Sequence, residues 1–505
     1  MDRLREEQQG AALIIFALML TVLIAMAAFM VDLGWLFYQG IEVQHGADAA
    51  ALAGVIYEPD RPAVAKNAAV AAAMENGYRD STAYGGSATV TPCDYVDLGC
   101  SVENQHQLSV TVSQPVGTFF MRFFGLNPVT VTKNAVAEYV LPLPLGSPDN
   151  RFGNDPANND FPNFWGNIHG YFTGKGMGDR YSSQCLNWAS GASCSGGAFN
   201  PEARPTVWTG DPATATGGYL YGVDVDDSTN LTVEVFDGQF NRGGGDPVLT
   251  GDQERGTAFG PTTVFILYSP DPTPLDTFDG NTPICTVVYS PQDWPAAWTV
   301  DGDGDGDYWD ELTPLEKAGI WDSMCPGSLD QGPGIYPLRV FVINDGEEGL
   351  NRWSLRTSST GSPRIYGLGD MAIYSNVDGA LGNTVFYLAE VEEIHAGKSL
   401  VIDLWDPGDA SGNHSLRIKD PNGATPPCVW TSTNPAYPGG TLASCDIPTS
   451  SARFNNYNVQ IRVDLAAYTC GADCWWKIDY NYPGQTNDTT TWSARIEGNP
   501  VKLVK

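Results

Sequence analysis

The sequence predicts an α+β N-terminal region with one transmembrane helix, followed by two tandem all-β modules that resemble a sandwich or jelly roll. The N-terminal prediction rests on an uncharged run of 21 residues and on the alanine-rich stretch after it. The all-β prediction rests on many short strands separated by Gly, Pro, Asn and Asp turns. In chain order we expect a cytoplasmic tail (1–10), a transmembrane helix (11–31), an α+β region (32–141), a linker (142–160), module 1 with insertions (161–362) and module 2 (363–505).

The uncharged run at residues 11–31 has the length of a membrane span. Its 21 residues form a helix of about 32 Å, and the hydrocarbon core of a bilayer is about 30 Å thick. Helix-compatible sequence continues past Asp32 without a convincing cleavage site, so we favour a retained anchor over a cleaved leader. Arg3 and Arg5 precede the span and the first basic residue after it is Arg61. We therefore expect a single-pass protein of the cell membrane, with its N-terminus in the cytoplasm and the bulk of the chain extracytoplasmic.

Composition restricts the partners of the exported part. The chain has 27 Lys and Arg against 59 Asp and Glu, a formal charge of -32, which excludes nucleic acid as a main partner. An oxidising compartment favours disulfides over metal ligation by the cysteines, because none of their close pairs is CxxC and no His stands at ligand spacing. The five expected pairs are Cys93 with Cys100, Cys185 with Cys194, Cys285 with Cys325, Cys428 with Cys445, and Cys470 with Cys474.

Residues 32–141 combine helices with a small sheet. A second helix is predicted over residues 61–78, started by Pro62 and ended near Gly77. Alternating segments at residues 88–93, 107–116 and 128–140 predict an antiparallel sheet with one buried face.

The segment GTFFMRFFG at residues 117–125 places five apolar side chains around Arg122. Two positions are open for it as a short helix: packed into the core on the sheet, or at the bilayer surface. We favour the core helix, because a single Arg gives little attraction to a membrane.

The sequence of the β-rich part, residues 161–505, indicates an internal duplication. YLYGVDV (219–225) and LTVEVFD (231–237) are answered in order by VFYLAEV (385–391) and LVIDLWD (400–406). Further matches, in the same order, are GMGD (176–179) with GLGD (367–370), WSLR (353–356) with WSAR (492–495), and one cysteine pair in each copy. Ordered self-similarity is typical of duplicated units. Two insertions, at about 184–216 and 291–333, lengthen the first copy.

The second insertion holds an acidic motif, DGDGDGDYWDEL, at residues 301–312. Alternating carboxylates and glycines let several oxygens converge on a hard cation, so we favour a structural calcium site over a solvated acidic turn. The candidate ligands are Asp301, Asp303, Asp305, Asp307 and Glu311. Position twelve of an EF-hand-type loop is Leu312 here, where a bidentate Glu is usual.

No catalytic motif stands out, so we expect no enzyme. None of the five histidines forms HExxH, and there is no GxSxG and no phosphate-binding glycine loop. The many tryptophans allow a carbohydrate-binding role. For Trp353 and Trp492 we favour core positions over a ligand platform, because buried aromatic side chains dominate such cores.

The N-terminal pattern resembles that of TadG-like proteins of the Tad (Flp, tight adherence) pilus-assembly system. The resemblance covers residues 8–141 and rests on QQG before the apolar helix, then Asp32, Leu36, Gln44 and ADAAALAG at 47–54. It implies a membrane-anchored, non-catalytic component that supports assembly or anchoring of the pilus through contacts with the lipid bilayer and other pilus-assembly proteins. The alternative is a membrane-tethered surface adhesin or carbohydrate-binding protein with a surface ligand. The small residues of the octet fit docking to a partner helix or packing on the chain's own second helix.

Two departures from related sequences refine this expectation. Five residues after Gly10, where a processed prepilin carries Glu, this chain has Ile15. The DDSTN sequence at 226–230 lacks the second serine of a von Willebrand-type metal site. We therefore expect a component that holds the machinery rather than a subunit of the fibre.

Overall fold

The structure is a computed structural model in which two compact units are distinguished. The N-terminal unit comprises residues 1–141 and 498–505, and the β body comprises residues 142–497. The described residues are 2–58, 62–94, 97, 102, 107–139, 143–155, 164–187, 194–204, 206–242, 252, 260–270, 281–293, 320–325, 327, 329–344, 348–377, 384–408, 414–471, 473–481, 486–497 and 501–504.

Two helices pack on an antiparallel sheet in the N-terminal unit. Helix α1 (Asp2–Val55) is continuous, and α2 (Pro62–Glu75) begins at the predicted proline. The sheet has the order β1-β2-β3-β27, with strands at β1 (Thr89–Cys93), β2 (Gln107–Val116), β3 (Val129–Tyr139) and β27 (Val501–Leu503). One face is buried, since Leu108, Val110 and Val112 of β2 are inaccessible to solvent. The predicted antiparallel arrangement of the first three strands is therefore confirmed.

The fourth strand of this sheet comes from the end of the chain. Val501 pairs with Tyr139, Lys502 with Glu138 and Leu503 with Ala137. The expected domain division assigns these residues to module 2. In the structure they belong to the N-terminal unit, because β27 pairs with the outer edge of β3. This pairing satisfies backbone N–H and C=O groups that an unpaired edge strand would expose.

The segment between β2 and β3 is a loop rather than a core helix. It contains a short 3₁₀ helix (Met121–Phe124), of which Met121 is the buried residue. The side chains of Phe123 and Phe124 are 75% and 78% exposed. The core position favoured from the sequence is therefore wrong for this segment.

The β body is a sandwich-like arrangement of two large sheets, which confirms the predicted α+β fold class with a β-sandwich body. The first sheet has the order β11-β10-β14-β7-β16-β4-β18-β25-β20-β23, and the second β13-β8-β15-β6-β17-β26-β19-β24-β21-β22, with β5 beside β15. Strands β9 and β12 form a separate parallel pair.

The strand bounds in the first sheet are β4 (Pro144–Leu145), β7 (Tyr219–Val225), β10 (Thr263–Tyr268), β11 (Pro283–Tyr289), β14 (Gly334–Val342), β16 (Arg364–Leu368), β18 (Thr384–Glu390), β20 (His414–Lys419), β23 (Asp446–Thr449) and β25 (Trp475–Asn481). In the second sheet they are β5 (Arg151–Phe152), β6 (Trp165–His169), β8 (Thr232–Phe236), β13 (Trp321–Ser323), β15 (Leu350–Ser358), β17 (Asp370–Val377), β19 (Ser399–Trp405), β21 (Cys428–Ser432), β22 (Gly439–Leu442), β24 (Asn458–Asp464) and β26 (Thr486–Ile496). The remaining elements are β9 (Asn241–Arg242), β12 (Gln292–Asp293) and a short helix α3 (Ser451–Phe454).

Aromatic side chains fill the space between the two sheets. The ring centre of Trp353 in β15 lies 5.3 Å from that of Tyr221 and 5.4 Å from that of Phe265, and both of these residues are in the opposite sheet. Trp492 of β26 lies 5.5 Å from Phe386 of β18 in the same edge-to-face manner. Both tryptophans are fully buried. They are core residues, as the sequence predicts, because aromatic pairs of this geometry stabilise a sandwich interior.

The two expected modules share both sheets. The expected boundary at residues 362–363 falls just before β16, which pairs with β7 through Ile365 and Val223. Strand β6 pairs with both β15 and β17, so the second sheet is also continuous across the boundary. The chain from 142 to 497 is one compact unit for this reason.

The segments that match in sequence occupy matching places in these sheets. The Arg356 guanidinium donates to Glu234 on the neighbouring strand at 2.8 Å, and Arg495 pairs with Asp403 in the other half. Asp237 and Asp406, which end the two matched strands, both adopt a left-handed backbone, with φ values of 54° and 59°. These parallels support a duplication, which stays a prediction.

Disulfides connect neighbouring cysteines in the β body. They join Cys185 to Cys194, Cys285 to Cys325, Cys428 to Cys445 and Cys470 to Cys474, the pairs expected from their spacing. Cys93 is also disulfide-bonded, and Cys100, its expected partner, lies outside the described residues. The bridge from Cys285 to Cys325 closes a loop of the chain that contains the acidic motif at residues 301–312.

We predict that deleting residues 498–505 loosens the edge of the N-terminal sheet. Amides of β3 that bond to β27 should exchange faster with solvent, because the deletion removes their acceptors. Hydrogen exchange followed by mass spectrometry measures this, with peptides from β26 as the internal control. Equal protection of β3 in the deleted and full-length proteins would show that β27 contributes nothing to this edge.

Candidate functional site

Helix α1 has two halves with opposite surroundings. From Ile15 to Val31 nearly every side chain is exposed although the segment is apolar. Among the described residues, the part of α1 that starts at Ile15 is the one helix long and apolar enough to cross a membrane. From Asp32 onward, one side of the same helix is buried by protein. An exposed apolar segment thus continues directly into a packed one.

The packed half of α1 lies on α2 and the sheet. Its inaccessible residues are Val43, Ala47, Ala50, Ala51 and Val55. They share one core with Ala65, Ala69 and Ala73 of α2 and with Leu108, Val110, Ala135 and Ala137 of the sheet. Small side chains allow the two helices to approach closely, so the alanine-rich composition is explained by packing within the unit.

Glycines at two positions of α1 make the closest approaches. A Cβ atom on Gly54 would stand 2.4 Å from Cδ2 of Leu108 and 2.6 Å from the carbonyl oxygen of Ala65. A Cβ atom on Gly46 would stand 2.4 Å from the Tyr78 ring. The octet at residues 47–54 therefore packs against the chain's own second helix and sheet. Of the two alternatives for its small residues, the structure shows internal packing.

Gln44, a polar residue of the N-terminal pattern, ties α1 to the sheet. Its side-chain amide donates to Asp48 at 2.8 Å and to the carbonyl oxygen of Asn134 in β3 at 3.1 Å. Leu36 is half-buried. These residues hold the unit together rather than present an open site.

Asp32 has a different role, because it binds a loop. The backbone N–H groups of Phe119, Phe120 and Met121 donate to its carboxylate at 2.7, 2.8 and 2.6 Å. The Trp35 ring lies 5.7 Å from that of Phe119. The loop at residues 117–128, which we call the aromatic loop, is thus fixed to α1 at the residue where the uncharged run ends. The sequence analysis did not predict this connection. The hydrogen bonds join positions about 90 residues apart, and a local sequence pattern does not show which distant backbone groups a carboxylate will bind.

A buried polar network in the β body was also missed. The Tyr219 hydroxyl donates to Asp179 at 2.6 Å, and backbone N–H groups of His169 and Ser182 donate to the same carboxylate. Burial raises the pKa of Asp179 in spite of these hydrogen bonds. Arg204 pairs with Asp370, so the aspartates of both matched GxGD segments are held in place by partners. Asp179 and Tyr219 are fully buried, whereas the pair of Arg204 and Asp370, which links an insertion to β17, is partly exposed.

The five candidate calcium ligands, Asp301, Asp303, Asp305, Asp307 and Glu311, lie outside the described residues. In the part of the chain that the structure describes, no group of three or more His, Cys, Asp or Glu side chains is arranged to hold a metal. The calcium site stays a prediction from sequence.

We predict opposite effects for alanine at two glycines of α1. Gly54→Ala should destabilise the N-terminal unit, because overpacking of this kind costs about 1–3 kcal/mol. Gly34→Ala should leave stability unchanged or raise it by up to about 1 kcal/mol, since nothing lies within 4 Å of its Cβ position and Ala favours helix over Gly. Hydrogen exchange of α2 in detergent micelles measures both. Equal behaviour of the two variants would contradict the close packing at Gly54.

Comparison with known proteins agrees with this region of the structure. Residues 10–75 match the family model described as Putative Flp pilus-assembly TadE/G-like. That range covers the apolar helix, the packed half of α1 and all of α2. No curated protein and no solved structure matches the chain. The resemblance seen in the sequence is therefore confirmed for residues 10–75, which match a TadE/G-like Flp pilus-assembly domain.

Proposed function

We propose that this protein is a membrane-anchored, extracytoplasmic component that supports assembly or anchoring of a Flp-type pilus through protein contacts and without catalysis. The observation that carries the proposal is the coincidence of the pilus-assembly match at residues 10–75 with the α1–α2 pair. In that pair an exposed apolar helix continues into a packed core without a break. This is the arrangement that a bilayer anchor of a folded unit requires.

The charge pattern and the disulfides support the proposed orientation. Arg3 and Arg5 precede the apolar run, and the next basic residue is Arg61, which favours a cytoplasmic N-terminus. Four disulfides lie between residues 185 and 474. Such bonds form and persist in oxidising compartments outside the cytoplasm.

Four buried tryptophans give no support to the carbohydrate-binding alternative. Trp353, Trp492 and Trp476 are at most 2% exposed, and Trp475 is 4% exposed. A platform that stacks on sugar rings must be open to solvent, so none of these four serves as one. An adhesive role of the β body is retained as an outcome of the experiment below.

The calcium proposal concerns the insertion between Cys285 and Cys325. Its alternating aspartates supply the oxygen ligands that calcium prefers, and the disulfide joins the chain on either side of the acidic motif. We propose that calcium orders this insertion and has no catalytic role.

The function is tested by removing the β body while keeping the N-terminal unit whole. Tyr139 and Val501 are cross-strand partners, so a short Gly-Asn turn can replace residues 142–497 and retain β27. We predict that cells with this variant still assemble pili, because the pilus-assembly match lies wholly in the retained unit. Electron microscopy counts the pili, and a full deletion and the intact protein are the controls.

Three outcomes decide between the two functions. Pili present with normal surface attachment support the assembly role of the N-terminal unit. Pili present with attachment lost assign adhesion to the β body. Loss of pili, with the shortened protein still found in the membrane fraction, contradicts the assignment of assembly to the N-terminal unit.

We predict that calcium changes the environment of Trp309 in the acidic motif. Titration of metal-free protein should change tryptophan fluorescence at millimolar calcium or below, the range of extracellular calcium modules. The double variant Asp303→Asn with Asp305→Asn should lose the response, and Asp226→Asn with Asp227→Asn, which neutralises two carboxylates elsewhere, should keep it. The same response in both double variants would contradict the assignment of the site.

A further inference from the structure

The aromatic loop presents an unusual apolar surface. Five large apolar side chains between residues 119 and 126 are 42–78% exposed: Phe119, Phe120, Phe123, Phe124 and Leu126. Single exposed apolar side chains are normal on protein surfaces, whereas a contiguous cluster marks an interaction site. The two strands that flank the loop are paired with each other right up to it, because Val116 at the end of β2 stands opposite Val129 at the start of β3.

The position of this cluster along α1 is fixed by contacts. Three backbone N–H groups of the loop bind the Asp32 carboxylate, and Asp32 directly follows the uncharged run at residues 11–31. The Trp35 ring packs on Phe119 at 5.7 Å and on Tyr38 at 5.8 Å. The loop is therefore fixed to α1 at the level where the uncharged run ends, and its phenyl rings are exposed there.

The charges near the loop fit a membrane interface. The loop carries one charged residue, Arg122, whose guanidinium lies 5.3 Å from the centre of the Phe123 ring. Asp32 is fully buried, and the next charged residue of α1 is Glu42, about 15 Å farther along the helix. Although the whole chain is strongly acidic, this end of α1 offers lipid phosphates an arginine and no exposed carboxylate on either the helix or the loop.

We propose that the aromatic loop inserts its phenyl rings among the headgroups and upper acyl chains of the bilayer. This rests on the proposed membrane anchoring and adds a second point of attachment beside the span. Phe and Leu side chains of interfacial segments are buried at the boundary between headgroups and acyl chains. Trp and Tyr, here Trp35 and Tyr38 beside the loop, are enriched at the same depth because their rings are amphipathic. Two attachment points limit the tilt and rotation of the packed unit relative to the membrane, which a single helix alone leaves free.

The experiment places an environment-sensitive fluorescent amino acid at one position at a time in the full chain, reconstituted into phosphatidylcholine vesicles. The positions are Phe123 in the loop, Leu18 in the apolar helix and Val64 as the control. All three side chains are exposed in the protein. Val64 lies on the first turn of α2, close to Gly54 at the far end of α1. Lipids brominated near the headgroup end of the acyl chain quench a fluorophore that enters the bilayer.

We predict that positions 18 and 123 lose most of their fluorescence with brominated lipid and that position 64 keeps it. Quenching at 18 without quenching at 123 overturns the loop proposal and leaves the anchoring proposal intact. No quenching at either position shows that the membrane anchoring itself fails. If position 123 is shielded from aqueous iodide but not quenched by brominated lipid, the loop instead contacts a second copy of the chain, and the proposal is wrong.

A substitution tests the same proposal without a label in the loop's centre. Phe123→Ser with Phe124→Ser removes the two most exposed rings, which make few internal contacts, so the melting temperature in detergent should stay unchanged. A fluorophore at Leu126 should then lose its quenching by brominated lipid. Quenching at Leu126 that persists in this folded variant contradicts insertion through the phenyl rings.

Discussion

The N-terminal unit depends on one carboxylate at the point where α1 changes its surroundings. From Ile15 to Val31 the helix presents apolar side chains that are nearly all exposed, and after Asp32 one side of the helix is buried against α2 and the sheet. A charged group here would be costly in an apolar setting without partners. Three backbone N–H groups of a distant loop supply those partners. The carboxylate thereby ends the apolar run and fixes the loop that follows β2.

The path of the chain sets a second constraint. The N-terminal unit begins the chain and also ends it, because β27 returns to pair with β3. The β body of residues 142–497 is therefore an insertion between two adjacent strands of a small sheet. Tyr139 and Val501 stand opposite each other, so both ends of the inserted segment start from one place. The hydrophobic core of the N-terminal unit therefore combines residues from before and after the insertion, such as Tyr139 and Val501.

Much of this fold follows from local patterns in the sequence. The apolar run, the start of α2 at Pro62 and the alternation in β2 and β3 each depend on neighbouring residues, and such periodicities can be read directly. Close cysteine spacing anticipated four of the disulfides for the same reason. The small residues at 47–54 showed that something packs closely, but composition alone does not distinguish a partner helix from α2.

What the sequence did not reveal depends on contacts between distant residues. The pairing of β27 with β3 joins residues more than 360 positions apart, and the hydrogen bonds of Asp32 join residues nearly 90 apart. The exposure of Phe123 and Phe124 is also a tertiary property, because the same FFMRFF pattern fits a core helix. The sharing of sheets by the two matched halves follows from the pairing of β16 with β7, which no repeat pattern specifies.

The central role of the Asp32 carboxylate is tested most directly by measuring hydrogen exchange of the backbone amides at residues 119–121 in the Asp32→Asn variant. The amide group retains one acceptor oxygen and replaces the other with a donor, so at least one of the three backbone donors loses its partner. Exchange of that segment should be faster by on the order of tenfold, as expected for losing a hydrogen bond to a charged group. Glu42→Gln, on the same helix, should leave it unchanged. Equal protection at residues 119–121 in Asp32→Asn and the original protein would contradict the central role of this carboxylate.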